Sequence, residues 1–304
     1  MKQTFYSNGK LLLTGEYVVL DGALALALPT KFGQYLTVEP ISSKQIQWKS
    51  FDQDGSIWFD DTFTFNEITH KTFSSENSVR NTLLEILHEA YQMKPDFLLN
   101  KNGFNIETNL TFQKNWGLGT SSTLINNIGD WLEIDAFELL NKSFGGSGYD
   151  IACAQNNAPI IYQLIDNKPF YRKVDFSPNF RDHLFFVYLN KKQSSKSAIA
   201  NYINKQNEVG KTIEQINKIT KSLLSNNDLR TFVYEIEKHE NLLSDVLEIS
   251  TIKEAFFDDF KGVVKSLGAW GGDFVLVVSK NNPTGYFKER GFETLLCYDE
   301  MILK

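Results

Sequence analysis

Lys114-Asn115-Trp116-Gly117-Leu118-Gly119-Thr120-Ser121-Ser122-Thr123 is the stretch whose reading decides the fold of this chain. Two glycines one residue apart precede a run of hydroxyl residues, and an apolar-periodic run follows through Leu124, Ile128, Trp131 and Leu132. Glycine permits a tight turn and removes the side chain that would keep an anion away from the backbone. A helix opening just after the turn aims unpaired N–H groups and the positive end of its dipole at whatever sits there. Hydroxyls at such a start can cap the helix, bind phosphate oxygens, or hold a magnesium ion that phosphates have partly dehydrated. The stretch therefore reads as a polyphosphate cradle. The plainer alternative is a loop in which Thr120 or Ser121 serves only as N-cap.

The flanks supply the context that a cradle needs. Upstream, residues 103–111 place Phe104, Ile106, Thr108 and Leu110 in alternation with polar positions, which predicts a strand. Downstream, the apolar period runs to about Glu133. A second short helix is expected from Asp135, with Phe137, Leu139 and Leu140, breaking at Gly145-Gly146-Ser147-Gly148. Tyr149-Asp150-Ile151 follows, so Asp150 is a carboxylate just after a Gly-Ser-Gly turn at a helix start. A simple capping aspartate is the alternative reading of that position.

Strands and tight turns are expected over residues 3–60, with β-rich runs at 5–13, 17–20, 24–28 and 35–38. Gly9, Gly15, Asp21-Gly22 and Gly33 punctuate them, and Trp48, Phe51, Trp58, Phe59, Phe63 and Phe65 continue the pattern. These aromatics read as half-buried strand residues rather than a base-stacking platform. A helix is expected over 76–92, where Val79, Leu83, Ile86, Leu87 and Ala90 share a face, Ser75 serves as N-cap and Pro95 ends the pattern. Strands follow at 159–164, 170–176 and 184–189. After Lys191 the helical period dominates, with helices expected at 195–205, 208–224, 228–246 and 251–267. A strand at 274–279, a short helix at 283–291 and a strand at 293–298 close the chain. The mixture predicts an α+β protein with a domain boundary near residue 190, separating 1–190 from 191–304.

Composition bounds the function. The 304 residues are 42% apolar and 22% charged, which is ordinary for a globular chain with one large or two modest cores. A net charge of −6 argues against broad nucleic-acid affinity, since no basic surplus is available to neutralise phosphates. Cys153 and Cys297 cannot build a disulfide framework and fit a reducing compartment. No apolar run approaches the length of a membrane span. The expectation is a soluble, cytoplasmic protein acting on a small molecule, with no nucleic-acid or membrane partner and a homodimer as an open option.

Three stretches together resemble one family. Ser7-Asn8-Gly9-Lys10-Leu11-Leu12-Leu13-Thr14-Gly15-Glu16-Tyr17 resembles the first motif of the GHMP kinases, which include galactokinase, homoserine kinase, mevalonate kinase and phosphomevalonate kinase. The cradle resembles their second motif, written PxxxGLGSSA, and Lys265-Ser266-Leu267-Gly268-Ala269-Trp270-Gly271-Gly272-Asp273 resembles the glycine-rich third. The motifs occur in the family's order across most of the chain. What the resemblance implies is a two-lobed GHMP kinase fold, with an N-terminal ribosomal-protein-S5-like lobe and a C-terminal ferredoxin-like lobe bearing added helices. It also implies ATP and Mg2+ as cofactors. Gly148-Tyr149-Asp150 is similar to PSGxDN of mevalonate kinases and, more nearly, to GSGFD of many phosphomevalonate kinases. Segment 190–199 and His239-Glu240-Asn241-Leu242-Leu243 are likewise similar to segments of those two kinases.

The same resemblance distributes roles. Asp150 would orient the acceptor hydroxyl and accept its proton, and Lys10 would contact that aspartate and the transferring phosphoryl group. Gly117, Leu118, Gly119, Thr120, Ser121 and Ser122 would hold the nucleotide. Glu16, Tyr17, Ser147, Gly271 and Gly272 would line the acceptor pocket, although Glu16 could instead hold strand geometry. Ser121 and Glu138 are the candidate magnesium ligands. The sequence also departs from the pattern. Gln113-Lys114-Asn115 stands where the second motif usually opens with proline, Thr120 replaces a serine, and Trp270 interrupts the third glycine run. His239 is given no role beyond proximity to the substrate pocket.

Competing motifs fail on spacing. Gly210-Lys211-Thr212 ends like a Walker A motif, but Lys205 stands where that motif needs its first glycine. Gly117-Leu118-Gly119 has Ser122 where a dinucleotide fingerprint needs glycine. No Cys/His spacing suits zinc. The reading is thus an ATP-dependent kinase of mevalonate 5-phosphate or mevalonate, serving isoprenoid biosynthesis. Its alternatives are a homoserine or sugar kinase of the same family, or a nucleotide-binding protein of that fold without kinase activity.

Overall fold

A computed structural model describes residues 1–74, 78–99, 102–192, 195–204 and 209–303, and shows a mixed α+β chain that divides into two compact units. The first comprises residues 1–9, 32–114 and 118–155, and the second residues 10–31, 115–117 and 156–304. The boundary expected near residue 190 falls inside the second unit. Strands β1 (Gln3–Thr14) and β2 (Ala25–Ile41) each run from one unit into the other.

In the first unit, β2 is joined by β3 (Gln45–Phe51), β4 (Ile57–Thr64) and β5 (Gly103–Leu110), in the order β4-β3-β5-β2. β2 pairs antiparallel with β5 from Gln34↔Leu110 to Ile41↔Gly103, while β3 pairs parallel with β5 from Ile46↔Phe104. Helices α1 (Phe65–His70), α2 (Val79–Met93) and α3 (Asp96–Leu99) connect β4 to β5, and α4 (Thr120–Leu132), α5 (Ala136–Ser143) and α6 (Tyr149–Ala154) follow. Alternation puts Leu36, Val38, Ile46, Trp48 and Ile106 in one core with Leu83, Leu87, Ile125, Ile128 and Leu139 of the helices. Of the aromatics of β3 and β4, Trp48 and Phe63 are fully buried in this core, Phe59 packs partly buried against it, and Phe51 and Trp58 are half-buried.

Local differences from expectation have physical causes. The runs 24–28 and 35–38 merge into the single strand β2, and Gly33 does not punctuate it. Gly33 is there because β1 passes so close that a Cβ would meet the Ser7 carbonyl oxygen. Phe65 opens α1 rather than extending β4, because Thr64 and Glu67 form a reciprocal capping box. Ser78 caps α2, its hydroxyl accepting from Asn81 N–H, and the Ser75 cap expected from sequence lies outside the described residues.

The second unit continues with β6 (Ile160–Ile165) and β7 (Lys168–Lys173), antiparallel to one another, β6 also pairing with Ala25–Ala27 of β2. A four-stranded antiparallel sheet runs β11-β8-β10-β9, built from β8 (Leu184–Tyr188), β9 (Val263–Leu267), β10 (Phe274–Val278) and β11 (Leu295–Cys297). Helices α7 (Ser195–Asn204), α8 (Gly210–Ser225), α9 (Leu229–Leu247) and α10 (Ile252–Phe256) precede β9, and α11 (Thr284–Lys288) and α12 (Tyr298–Met301) close the chain. The helix expected over 251–267 does not extend across that range. It stops at Phe256, and 263–267 is strand, because Val263 and Val264 favour a pleat and the whole segment is buried opposite β10. Among the described residues, no helix is long and apolar enough to cross a membrane.

Candidate functional site

α4 begins where the cradle reading requires. Gly119 is its N-cap at φ +97, Gly117 lies at φ +72, and both are conformations that side-chain-bearing residues seldom adopt. The first hydrogen bond of the helix is Thr123 N–H to Gly119 C=O at 2.9 Å, so the N–H groups of Thr120, Ser121 and Ser122 precede the ladder. No acidic residue occupies the first turn. Thr120 and Ser121 are half-buried. Ser122 is buried and its hydroxyl donates to Gly119 C=O at 2.9 Å, while Thr123 Oγ1 donates to Gln34 Oε1 at 2.7 Å. Ser122 thus spends its proton inside the turn, and Leu118 is wholly buried as packing.

A ladder of amides fixes α4 in the first unit. Ser7 Oγ donates to Asn127 Oδ1 at 2.7 Å, Asn127 Nδ2 donates to Gln34 C=O at 2.9 Å, and Asn126 Nδ2 donates to Ser7 Oγ at 2.9 Å. Gln155, the C-cap of α6, donates to Asn126 Oδ1 at 3.0 Å. The helix carrying Asp150 is therefore tied to the cradle helix by a satisfied polar network. α6 itself starts on Gly148 at φ +88, Asp150 lies half-buried in its first turn, and half-buried Ser147 lies in the turn before it. Glu138 sits in the first turn of α5, 52% exposed, with its carboxylate 2.7 Å from Lys142 one helical turn on. That ion pair competes with the magnesium role assigned to it. Among the described residues, no group of three or more His, Cys, Asp or Glu is arranged to hold a metal.

In the second unit, Lys10 donates from Nζ to the Gly117 carbonyl at 3.0 Å, which puts an ammonium on the first glycine of the turn. Segment 115–117 is further held by Tyr188, whose hydroxyl donates to Asn115 C=O at 3.0 Å, and by Trp116 packed edge-on against Phe274 at 5.4 Å. A Cβ at Gly117 would fall on the Asp273 carboxylate. Asp273 is buried, its backbone bonded to Leu189 N–H and Lys191 C=O, so the end of the third motif closes against the start of the second. Gly271 lies at φ +81, and Gly272 is buried beside it.

Glu16 and Tyr17 are not where an open pocket lining would be. Glu16 is 3% exposed and ion-paired with Lys265, which is itself fully buried. Its other carboxylate oxygen lies 3.4 Å from His239 Nε2, and that nitrogen accepts the Gly15 N–H at 2.9 Å. An accepting Nε2 puts the ring proton on Nδ1. Burial, then the Lys265 charge, holds His239 well below its ordinary range, so the ring is neutral. Glu240 accepts Ser266 N–H at 3.1 Å, and burial pushes its carboxyl up to about 7 against the pull of Lys265. Tyr17 accepts the Trp270 N–H at 2.8 Å, and burial pushes its phenol up to about 12.

Sequence reasoning did not anticipate the buried polar cluster of His239, Glu240 and Lys265. One signal existed: Ile236, His239, Glu240 and Leu243 share the buried face of α9, where two ionisable groups need partners. Lys265 escaped because its segment read as helix. Of the 190–199 segment, Gln193 and Ser194 lie outside the described residues.

No family model and no curated protein matches the sequence, but solved structures match the whole fold. Mevalonate kinase of Methanococcus jannaschii superposes with a TM-score of 0.70 at 18% identity, covering 100% of this chain and 99% of that one. Phosphomevalonate kinase of Streptococcus pneumoniae, solved with phosphomevalonate and AMPPNP, gives 0.69 at 19% identity over 97% and 99%. Galactokinase of Lactococcus lactis, solved with galactose, gives 0.67 at 12% identity over 99% and 93%. The fold is that of the GHMP kinases.

Proposed function

We propose that this chain is an ATP-dependent small-molecule kinase whose acceptor is mevalonate 5-phosphate or mevalonate, in isoprenoid biosynthesis. One observation carries the reading. α4 opens at left-handed Gly119 with N–H groups ahead of its ladder and no carboxylate in its first turn. A triphosphate fits that end of a helix, and a carboxylate-bearing first turn would repel it.

In this reading, the N–H groups of 119–122 hold the phosphates and Lys10 offsets charge growing on the transferring group. Asp150, held at the head of α6, orients the acceptor hydroxyl and takes its proton. Positioning and electrostatics suffice for such a transfer. The hydroxyl-rich donor set suits Mg2+, which would be held by Ser121 and phosphate oxygens and would neutralise charge on the phosphates. Ser147, Gly271 and Gly272 are the residues assigned to acceptor binding in this reading. The preference for a mevalonate-pathway acceptor rests on Gly15-Glu16-Tyr17 and Gly148-Tyr149-Asp150.

The test is coupled ADP release against mevalonate, mevalonate 5-phosphate, homoserine and a sugar panel, with Asp150→Asn alongside. Turnover is expected with one of the first two, reduced in Asp150→Asn by roughly two to four powers of ten at unchanged ATP affinity. Nucleotide binding by calorimetry without ADP release for any acceptor would sink the kinase assignment.

A further inference from the structure

β1 ends at Thr14, and the next three residues do something unusual. Val18 N–H donates to Glu16 C=O at 2.8 Å, and Tyr17 between them has φ +63 and ψ −57. That is a γ-turn of the rarer, strained hand. A bulky side chain at positive φ is an outlier, and such outliers persist only where the surroundings over-determine them.

The surroundings here are a buried ionic cluster. His239 takes the Gly15 N–H, and Glu16 is gripped by Lys265, which also donates to Ser266 C=O at 2.7 Å. Glu16, His239 and Lys265 are at most 3% exposed. A buried ion pair is weak evidence of a stability device, because desolvation offsets its attraction. A strained turn is not one either. Their coincidence indicates that a side chain is being aimed.

The aimed group is the Tyr17 phenol, which accepts the Trp270 N–H. Trp270 stands between Gly268 at φ +79 and Gly271 at φ +81, and its indole N–H donates to Ser250 C=O at 3.2 Å. Farther on, Asp273 is bonded through its backbone to Leu189 and Lys191. Loop 268–273 is thus pinned at Trp270 and at Asp273, with Gly271 and Gly272 spanning the interval.

We propose that Tyr17 is a positioning residue for the glycine loop 268–273, held in its strained turn by Glu16, Lys265 and His239. Glu16 then acts through Tyr17 and does not touch the acceptor. Trp270 is an anchor of the loop and not an obstruction in it. Only the identity of what the loop binds rests on the kinase reading; the positioning does not.

Hydrogen–deuterium exchange on the ligand-free full chain tests it, comparing wild type with Tyr17→Phe. Amides of 268–272 should exchange about tenfold faster, the factor expected for one lost hydrogen bond, while β9 and β10 keep their protection. The paired variant Glu16→Gln/Lys265→Met retains the phenol but releases the turn, and should accelerate the same amides. It also avoids leaving a single buried charge. In steady-state assays with mevalonate and mevalonate 5-phosphate, Tyr17→Phe should raise the acceptor KM and leave the ATP KM unchanged. Unchanged exchange at 268–272 in Tyr17→Phe would overturn the proposal. Acceleration spread over β9 and β10 would overturn it too, since Tyr17 would then be an ordinary stability contact. Local acceleration in a protein that phosphorylates neither acceptor would uphold the positioning and count against the kinase reading alone.

Discussion

Glu240→Gln replaces a carboxyl that is almost wholly buried with its neutral isostere. The carboxyl is raised from 4.5 to about 7, chiefly by burial, which at 1.36 kcal/mol per pH unit corresponds to about 3 kcal/mol. Its sign follows from proton counting. Between those two values the folded protein keeps a proton that the unfolded chain has lost, so stability falls as pH rises. The contribution is fully present below 4.5 and gone once pH passes through 7. Glutamine does not titrate, and its carbonyl can occupy the position of Oε1, which faces both the Ser266 and Ile252 N–H groups. The difference in unfolding free energy, variant minus wild type, should therefore climb by about 3 kcal/mol from pH 4.5 to pH 7.5. His239, neutral and depressed, gives the opposite slope below its ordinary value of 6.5. Glu16, whose carboxyl burial also raises, titrates in both proteins as His239 does, so the difference between the two curves and not either curve alone reports Glu240. Urea unfolding at half-unit pH steps measures both curves. Parallel curves would refute the reasoning, because they would mean that Glu240 titrates as an exposed carboxylate does.

Two further outcomes are expected. Gly117→Ala meets both a left-handed backbone and the Asp273 carboxylate, whereas Gly145→Ala meets a left-handed backbone with open space around it. Gly145→Ala should cost about 1 kcal/mol of stability. Gly117→Ala should cost more and weaken ATP binding at least about tenfold by calorimetry, the effect of 1.4 kcal/mol. Equal costs would show that Asp273 moves aside freely. Asn127→Leu removes the acceptor of the buried Ser7 Oγ–H and a side-chain donor to the Gln34 carbonyl, and should lower unfolding free energy by about 1–3 kcal/mol in urea. A loss under about 1 kcal/mol would mean that water reaches the ladder.

The elements that were legible in the sequence share one property: their signal is local. Asp135 caps α5 through Phe137 and Glu138 N–H, and the period of α2 and α4 follows from residues within a few turns. The cradle was legible for the same reason, since glycine, hydroxyl and apolar period are contiguous there. β9 was not. Its neighbours 251–256 are helical, and what makes 263–267 a strand is pairing with β10 rather than any preference strong enough to read alone. Residues 17–20 failed in the opposite direction. Tyr17-Val18-Val19-Leu20 has ideal strand composition, yet Tyr17 sits at φ +63 and Val18–Asp21 forms a 3-10 turn. Propensity was overruled there by groups 220 to 250 residues away in sequence.

Glu16 shows what that distance does to a functional reading. From sequence it belongs to a motif that lines an acceptor pocket, and a carboxylate near a substrate reads naturally as a contact. In the fold it faces Lys265 and His239 and is closed to water. Nothing within its own stretch could have announced this, because its partners lie on α9 and β9. The ionisable residues on the buried face of α9 are the counterpart clue. A histidine and a glutamate facing inward require partners, and two consecutive ones need more than a single buried lysine can give. The neutral state of His239 and the raised carboxyl of Glu240 are how the cluster meets that shortage. It leaves Lys265 matched to Glu16, the one carboxylate whose position fixes the Tyr17 turn.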